Sequence, residues 1–120
     1  MTYVDGFVLA VKKDRLDDYK KMAEIASEVW KDHGAVSYRE CIGEDMDDKG
    51  FCQTFPAAFE IQEDEIAVFS YIEYKSRDHR DAVNEKVHND PRLEESCDMN
   101  NMPFDCKRMV YGGFKTIVEF

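Results

Sequence analysis

Asp5 is a carboxylate set inside an apolar run, Tyr3-Val4-Asp5-Gly6-Phe7-Val8-Leu9-Ala10-Val11, and so most needs a chemical explanation. A buried carboxylate must find a partner or shift its pKa. Asp5 therefore reads as a general base or ligand anchor, or else as half of an ion pair or an acceptor of backbone amide hydrogen bonds. Arg108, near the start of the last apolar run, and Arg39 are its candidate cations. His79 is the second candidate. It lies at helical spacing from Val83 and Val87, which turns its imidazole toward the core. There it would be the group titrating near neutrality and suited to general acid or base work. A hydrogen-bonded core histidine satisfies the same pattern. Asp5 and His79 thus form the candidate catalytic pair, with Tyr71, Arg108 and Tyr111 as candidate pocket residues.

Other motifs carry less. Gly6 and Gly112-Gly113 mark bulges or close backbone approaches, by a helix or by a ligand. Asp45-Met46-Asp47-Asp48-Lys49-Gly50 imitates the opening of a calcium loop. The twelfth position of such a loop falls on Pro56, where a bidentate glutamate is required, and a solvated acidic turn remains. Cys41, Cys52, Cys97 and Cys106 lack CxxC spacing, and His33, His79 and His88 add no closely spaced ligand pair. No structural metal is expected from that spacing. Phosphate loops, dinucleotide fingerprints and a serine nucleophile elbow are absent, so no cofactor is expected.

The N-terminus shows no basic region followed by an apolar core, so the cysteines read as reduced thiols of a cytoplasmic protein. No stretch approaches the roughly 20 apolar residues of a membrane span. The 26 acidic and 16 basic side chains leave a net charge of −10, which repels phosphate backbones and anionic lipid. Nucleic acid and membrane are therefore not expected partners.

The elements that must position these residues can be read in order. A chain of 120 residues fits one domain spanning 1–120. Tyr3 to Val11 is a strand apolar on both alternations, hence covered on both faces. Asp14 offers an N-cap, and Leu16, Tyr19, Met22, Ala23, Ala26, Val29, Trp30 and His33 form one stripe at helical spacing. With Gly34 suited to the left-handed end position, this spacing predicts a helix over 14–33.

Ala35 to Ile42 reads as a second strand. Residues 43–65 are long for a structureless connection, and Thr54 with Pro56 predicts a short capped helix whose Phe55 and Phe59 share a face. Ile66 to Tyr74 is a third two-faced strand, and Ser76 caps a second main helix that Asp90-Pro91 breaks. The last strand is expected over roughly 107–118. The result is an α+β domain, β-α-β-β-α-β, with two helices over one sheet face. The other face needs cover, and a symmetric homodimer packed sheet to sheet supplies it.

Four motifs in order carry a resemblance: Tyr3-Val4-Asp5-Gly6-Phe7-Val8, Phe69-Ser70-Tyr71-Ile72-Glu73-Tyr74, Ser76 to Asn84, and Met102-Pro103-Phe104-Asp105-Cys106 running on to Phe114. Together they resemble the YbaA-like bacterial family, a domain of unknown function. The resemblance implies a ferredoxin-like protomer that forms a dimeric α/β barrel. It implies no reaction, because relatives in that superfamily include cofactor-free oxygenases, isomerases and plain binding proteins. Two functions follow as expectations. One is a small-molecule enzyme using Asp5 and His79 in a pocket between sheet and helices. The other is a non-catalytic homodimeric module that binds a small molecule or serves structure alone.

Overall fold

The computed structural model describes residues 1–120. The chain runs β1 (Tyr3–Lys12), a 3-10 turn (Lys13–Arg15), α1 (Leu16–Asp32), β2 (Ser37–Ile42), α2 (Phe55–Ala58) and β3 (Glu65–Tyr74). It continues with α3 (Arg77–His88), α4 (Pro91–Glu95), a second 3-10 turn (Cys106–Arg108) and β4 (Val110–Lys115). The expected α+β alternation is present. No helix is long and apolar enough to cross a membrane.

The four strands form one antiparallel sheet in the order β2-β3-β1-β4. Because side chains alternate along a strand, the register decides who faces whom. Asp5 lies opposite Ile72 and Gly113, and Phe7 opposite Ser70 and Tyr111. Asp5, Phe7, Leu9 and Val11 therefore share a face with Ser70, Ile72, Tyr38, Glu40 and Tyr111. α1 and α3 pack on this face, with Leu93 of α4 beside them. Its core falls into two groups: Val29, Ile72, Tyr74, Val83 and Val87 at one end, and Leu9, Val11, Tyr19 and Val68 at the other.

Local signals explain the helices. The α1 stripe buries Tyr19 and Val29, and Gly34 follows with φ 103°, a conformation that costs glycine nothing sterically. The Ser76 hydroxyl accepts the His79 N–H at 3.1 Å and starts α3, which buries Val83 and Val87. Thr54 likewise caps α2 by accepting the Ala57 N–H at 3.2 Å.

β2 starts at Ser37 rather than Ala35, and two boundaries differ further from the sequence reading. Asp14 is not an N-cap: the Lys13 N–H bonds the Asp64 carbonyl at 2.9 Å, residues 13–15 turn tightly, and α1 starts at Leu16 without a side-chain cap. The last strand is shorter than 107–118. Asp105 caps a turn over 106–108, and at the far end Lys115 pairs with Tyr3, where β1 begins.

The opposite face of the sheet carries Val4, Val8, Phe69, Tyr71, Val110 and Phe114. Phe55 stacks on Phe59 at 6.0 Å and meets Phe69 edge-on at 6.4 Å, so α2 screens one corner of this face. Most of it stays open, with Phe69 47% and Phe114 61% exposed. The four cysteines are unpaired.

Candidate functional site

Two carboxylates stand on the helix-covered face of the sheet, Asp5 on β1 and Glu40 on β2. Their surroundings differ sharply. Asp5 is 1% exposed. Its Oδ1 accepts Arg80 Nη1 at 2.8 Å and the Tyr111 hydroxyl at 3.2 Å, while Oδ2 accepts Asn84 Nδ2 at 3.3 Å. Arg80 and Asn84 are four apart on α3 and reach down together. The Arg80 guanidinium also lies 4.9 Å over the Tyr3 ring, whose hydroxyl crowds the backbone of Gly113. Asn84 Oδ1 in turn accepts from the Tyr74 hydroxyl at 3.0 Å and from Trp30 Nε1 at 3.1 Å. The network is closed: no buried side-chain nitrogen or oxygen in the protein lacks a hydrogen-bond partner.

Glu40 lies beside space. A cavity of about 300 Å³ lies among the sheet, α1, Leu93 of α4 and the segment after α4. Fourteen of its 17 lining residues are hydrophobic, among them Phe7, Ala26, Trp30, Ile72, Met102 and Phe104. The Tyr19 and Tyr38 hydroxyls donate to Glu40 Oε1 and Oε2, each at 2.6 Å. Burial, and then the neighbouring Glu40 charge, pushes both phenols far above the usual tyrosine range. They are fixed as donors. On the outer side, a groove lined by Leu16, Lys20 and Ser27 shares Tyr19, Ala23, Tyr38 and Glu40 with the cavity. The three polar side chains thus stand between the cavity and the surface.

Arg15 holds the roof. Its Nη1 donates to the Met102 carbonyl at 2.9 Å and its Nη2 to that of Asn101 at 3.1 Å. Phe104 pairs with Val11 by a single bridge and meets Tyr19 edge-on at 5.7 Å.

The residues singled out from sequence are dispersed. Asp5 and Tyr111 touch. His79 sits at the start of α3, where Nδ1 accepts the Lys75 N–H at 3.0 Å and the ring meets Tyr74 edge-on at 6.1 Å, away from the cavity lining. Tyr71 is on the open face. Arg108 is not the partner of Asp5: it lies in the turn before β4 and grips Glu65 at 2.6 and 3.0 Å, which holds that carboxyl below its ordinary range. Arg39 lies opposite Tyr71, again on the open face. Sequence reasoning missed Arg80, Glu40, Tyr19 and Tyr38 as a set. The period-two pair Tyr38 and Glu40 was the available signal. No group of three or more His, Cys, Asp or Glu side chains is arranged to hold a metal ion.

These features define an α+β domain with an antiparallel sheet, its two long helices on one face, and an apolar cavity that holds one hydroxyl-bound carboxylate. A family model described as "Protein of unknown function (DUF1428)" matches residues 2–106. The "Uncharacterized protein YbaA" of Escherichia coli (strain K12) and that of Shigella flexneri are each 46% identical over 119 residues, 99% of this chain and 99% of theirs. The chain belongs to this family of unknown function.

Proposed function

We propose that this protein is a homodimer of ferredoxin-like protomers, a dimeric α/β barrel, in which each protomer binds a small, largely apolar molecule between its sheet and helices. The carrying observation is the cavity of about 300 Å³ with its fourteen hydrophobic lining residues. Binding pockets are concave and mostly apolar, with a few convergent polar groups. The second copy covers the open face of Val8, Phe69, Val110 and Phe114, a surface of a kind that soluble monomers rarely leave bare.

Acid–base catalysis by Asp5 and His79 draws less support. Asp5 is saturated by three side chains and His79 is engaged with the backbone of Lys75. Neither lines the cavity. A binding role is accordingly the reading adopted.

Butylbenzene, which has no polar group, tests the cavity. It should raise the melting temperature of the wild-type protein and shift the methyl resonances of Ala26 and Ile72. Ala26→Leu, which fills part of the space, should weaken both effects. A wild-type protein indifferent to butylbenzene in both measurements overturns the cavity reading. For the assembly, light scattering at tens of micromolar should give twice the protomer mass of 14.0 kDa, and a clean protomer mass there overturns the dimer.

A further inference from the structure

We infer that the ligand of this cavity is a cation, a small amine with an apolar body, and that Glu40 is its counter-ion. The inference rests on the binding function proposed above and names the ligand's chemistry.

The asymmetry among carboxylates carries it. Asp5 is paired with Arg80, Glu65 with Arg108, and Asp90 with Arg92 and His33. Glu40 has no cationic partner, only two phenolic hydroxyls. A carboxylate beside an apolar cavity normally acquires a cation, because hydroxyl dipoles leave its charge uncompensated. Here no lysine or arginine lies within ion-pairing distance, and Lys20 lines only the outer groove. Each Glu40 oxygen accepts one hydroxyl and keeps further lone-pair capacity. Folding has already half-buried the carboxylate and locked its orientation, so an incoming ammonium loses chiefly its own hydration and freedom.

The walls agree with a cation. Phe7, Tyr19, Trp30, Tyr38 and Phe104 all line the space, with Trp30 and Tyr38 5.9 Å apart and Tyr19 and Phe104 5.7 Å apart. Aromatic faces attract ammonium groups, most strongly where water is excluded. No lysine or arginine is among the lining residues, so nothing there would receive an anion. The net charge of −10 further favours cations at the surface.

Three probes of one shape decide the matter: phenylbutylamine, phenylbutanol and phenylbutanoate, titrated into the full-length wild-type protein by calorimetry at neutral pH. The amine should bind at least about tenfold more tightly than the alcohol, and the acid more weakly than either. In Glu40→Gln, the amine should lose that advantage while the alcohol keeps its affinity. Equal or tighter binding of the alcohol or the acid in the wild-type protein overturns the inference and leaves the cavity reading standing. If all three probes and butylbenzene fail, both readings fall. Should Glu40→Gln not fold, the wild-type ranking still decides.

Discussion

Replacing Arg80 by methionine is expected to lower the unfolding free energy by about 3–5 kcal/mol, the largest loss of any single substitution away from the apolar core. The side chains of Arg80 and Asp5 are 13% and 2% exposed, so the pair sits out of water. Removing the guanidinium leaves a buried carboxylate that Tyr111 and Asn84 can hydrogen-bond but not neutralise. Tyr3 loses the cation over its ring as well. Asp5→Asn should cost less, about 1–3 kcal/mol, because the amide can still exchange hydrogen bonds with its neighbours. Combining the two substitutions should restore part of the Arg80→Met loss, since the unpaired charge is gone. Urea denaturation of the four proteins reads the cycle directly. An Arg80→Met protein within experimental error of wild type would show that the pair contributes nothing. Butylbenzene binding measured on Asp5→Asn separates the roles: a retained response marks the residue as structural, and a lost one restores it to the site.

Alkaline unfolding should be steep and should begin near the ordinary tyrosine pKa of about 10. Tyr19, Tyr38 and Tyr74 all have their phenols raised, first by burial and then by a neighbouring carboxylate, Glu40 for the first two and Asp5 for the third. The sign follows from proton counting. Above the unfolded pKa the unfolded chain releases these protons and the folded chain keeps them, so stability is complete below about pH 10 and falls as pH rises. Each such tyrosine contributes a slope of about 1.4 kcal/mol per pH unit, and three together about 4 kcal/mol per unit. A domain of ordinary stability, about 5–15 kcal/mol, is then expected to unfold within a few units. Tyrosinate absorbance and circular dichroism should change together for these residues. Ionisation of all six tyrosines before any loss of dichroism would show that the three phenols are not held protonated.

The elements were largely legible in the sequence because their signals are local. The stripe from Leu16 to Trp30, the Ser76 and Thr54 caps, and the two-faced character of Tyr3 to Val11 need no tertiary information. Boundaries that failed depend on partners. Asp14 reads as a cap until the Asp64 carbonyl draws Lys13 into a turn, and Thr116 to Val118 read as strand although the chain before β1 offers only Thr2, which takes the Thr116 N–H on its carbonyl, and leaves Ile117 and Val118 no strand to pair with. The site was less legible for the same reason. Asp5 announces itself by interrupting an apolar run, but its cation is chosen by a helix 75 positions away. Arg80 adjoins His79 in the chain, but the stripe argument draws attention only to His79, while Arg108 and Arg39 stand as the candidate cations in place of Arg80. Glu40 sits between Arg39 and Cys41 on a short strand and looks like one more surface charge. Only the pairing of Tyr38 with Ile72 and of Glu40 with Ser70 turns it inward.

The neighbouring glycines of β4 differ in what they would tolerate over generations of mutation. A methyl group added at Gly112 would meet the Phe114 ring at 3.5 Å, an ordinary contact. The same methyl at Gly113 would come within 2.5 Å of the Tyr3 hydroxyl and 3.0 Å of its ring. Tyr3 would have to move, and the Arg80 guanidinium rests against it. One codon can therefore drift with little consequence. The adjacent one is tied, through an aromatic ring and a guanidinium, to the only carboxylate buried in the first strand.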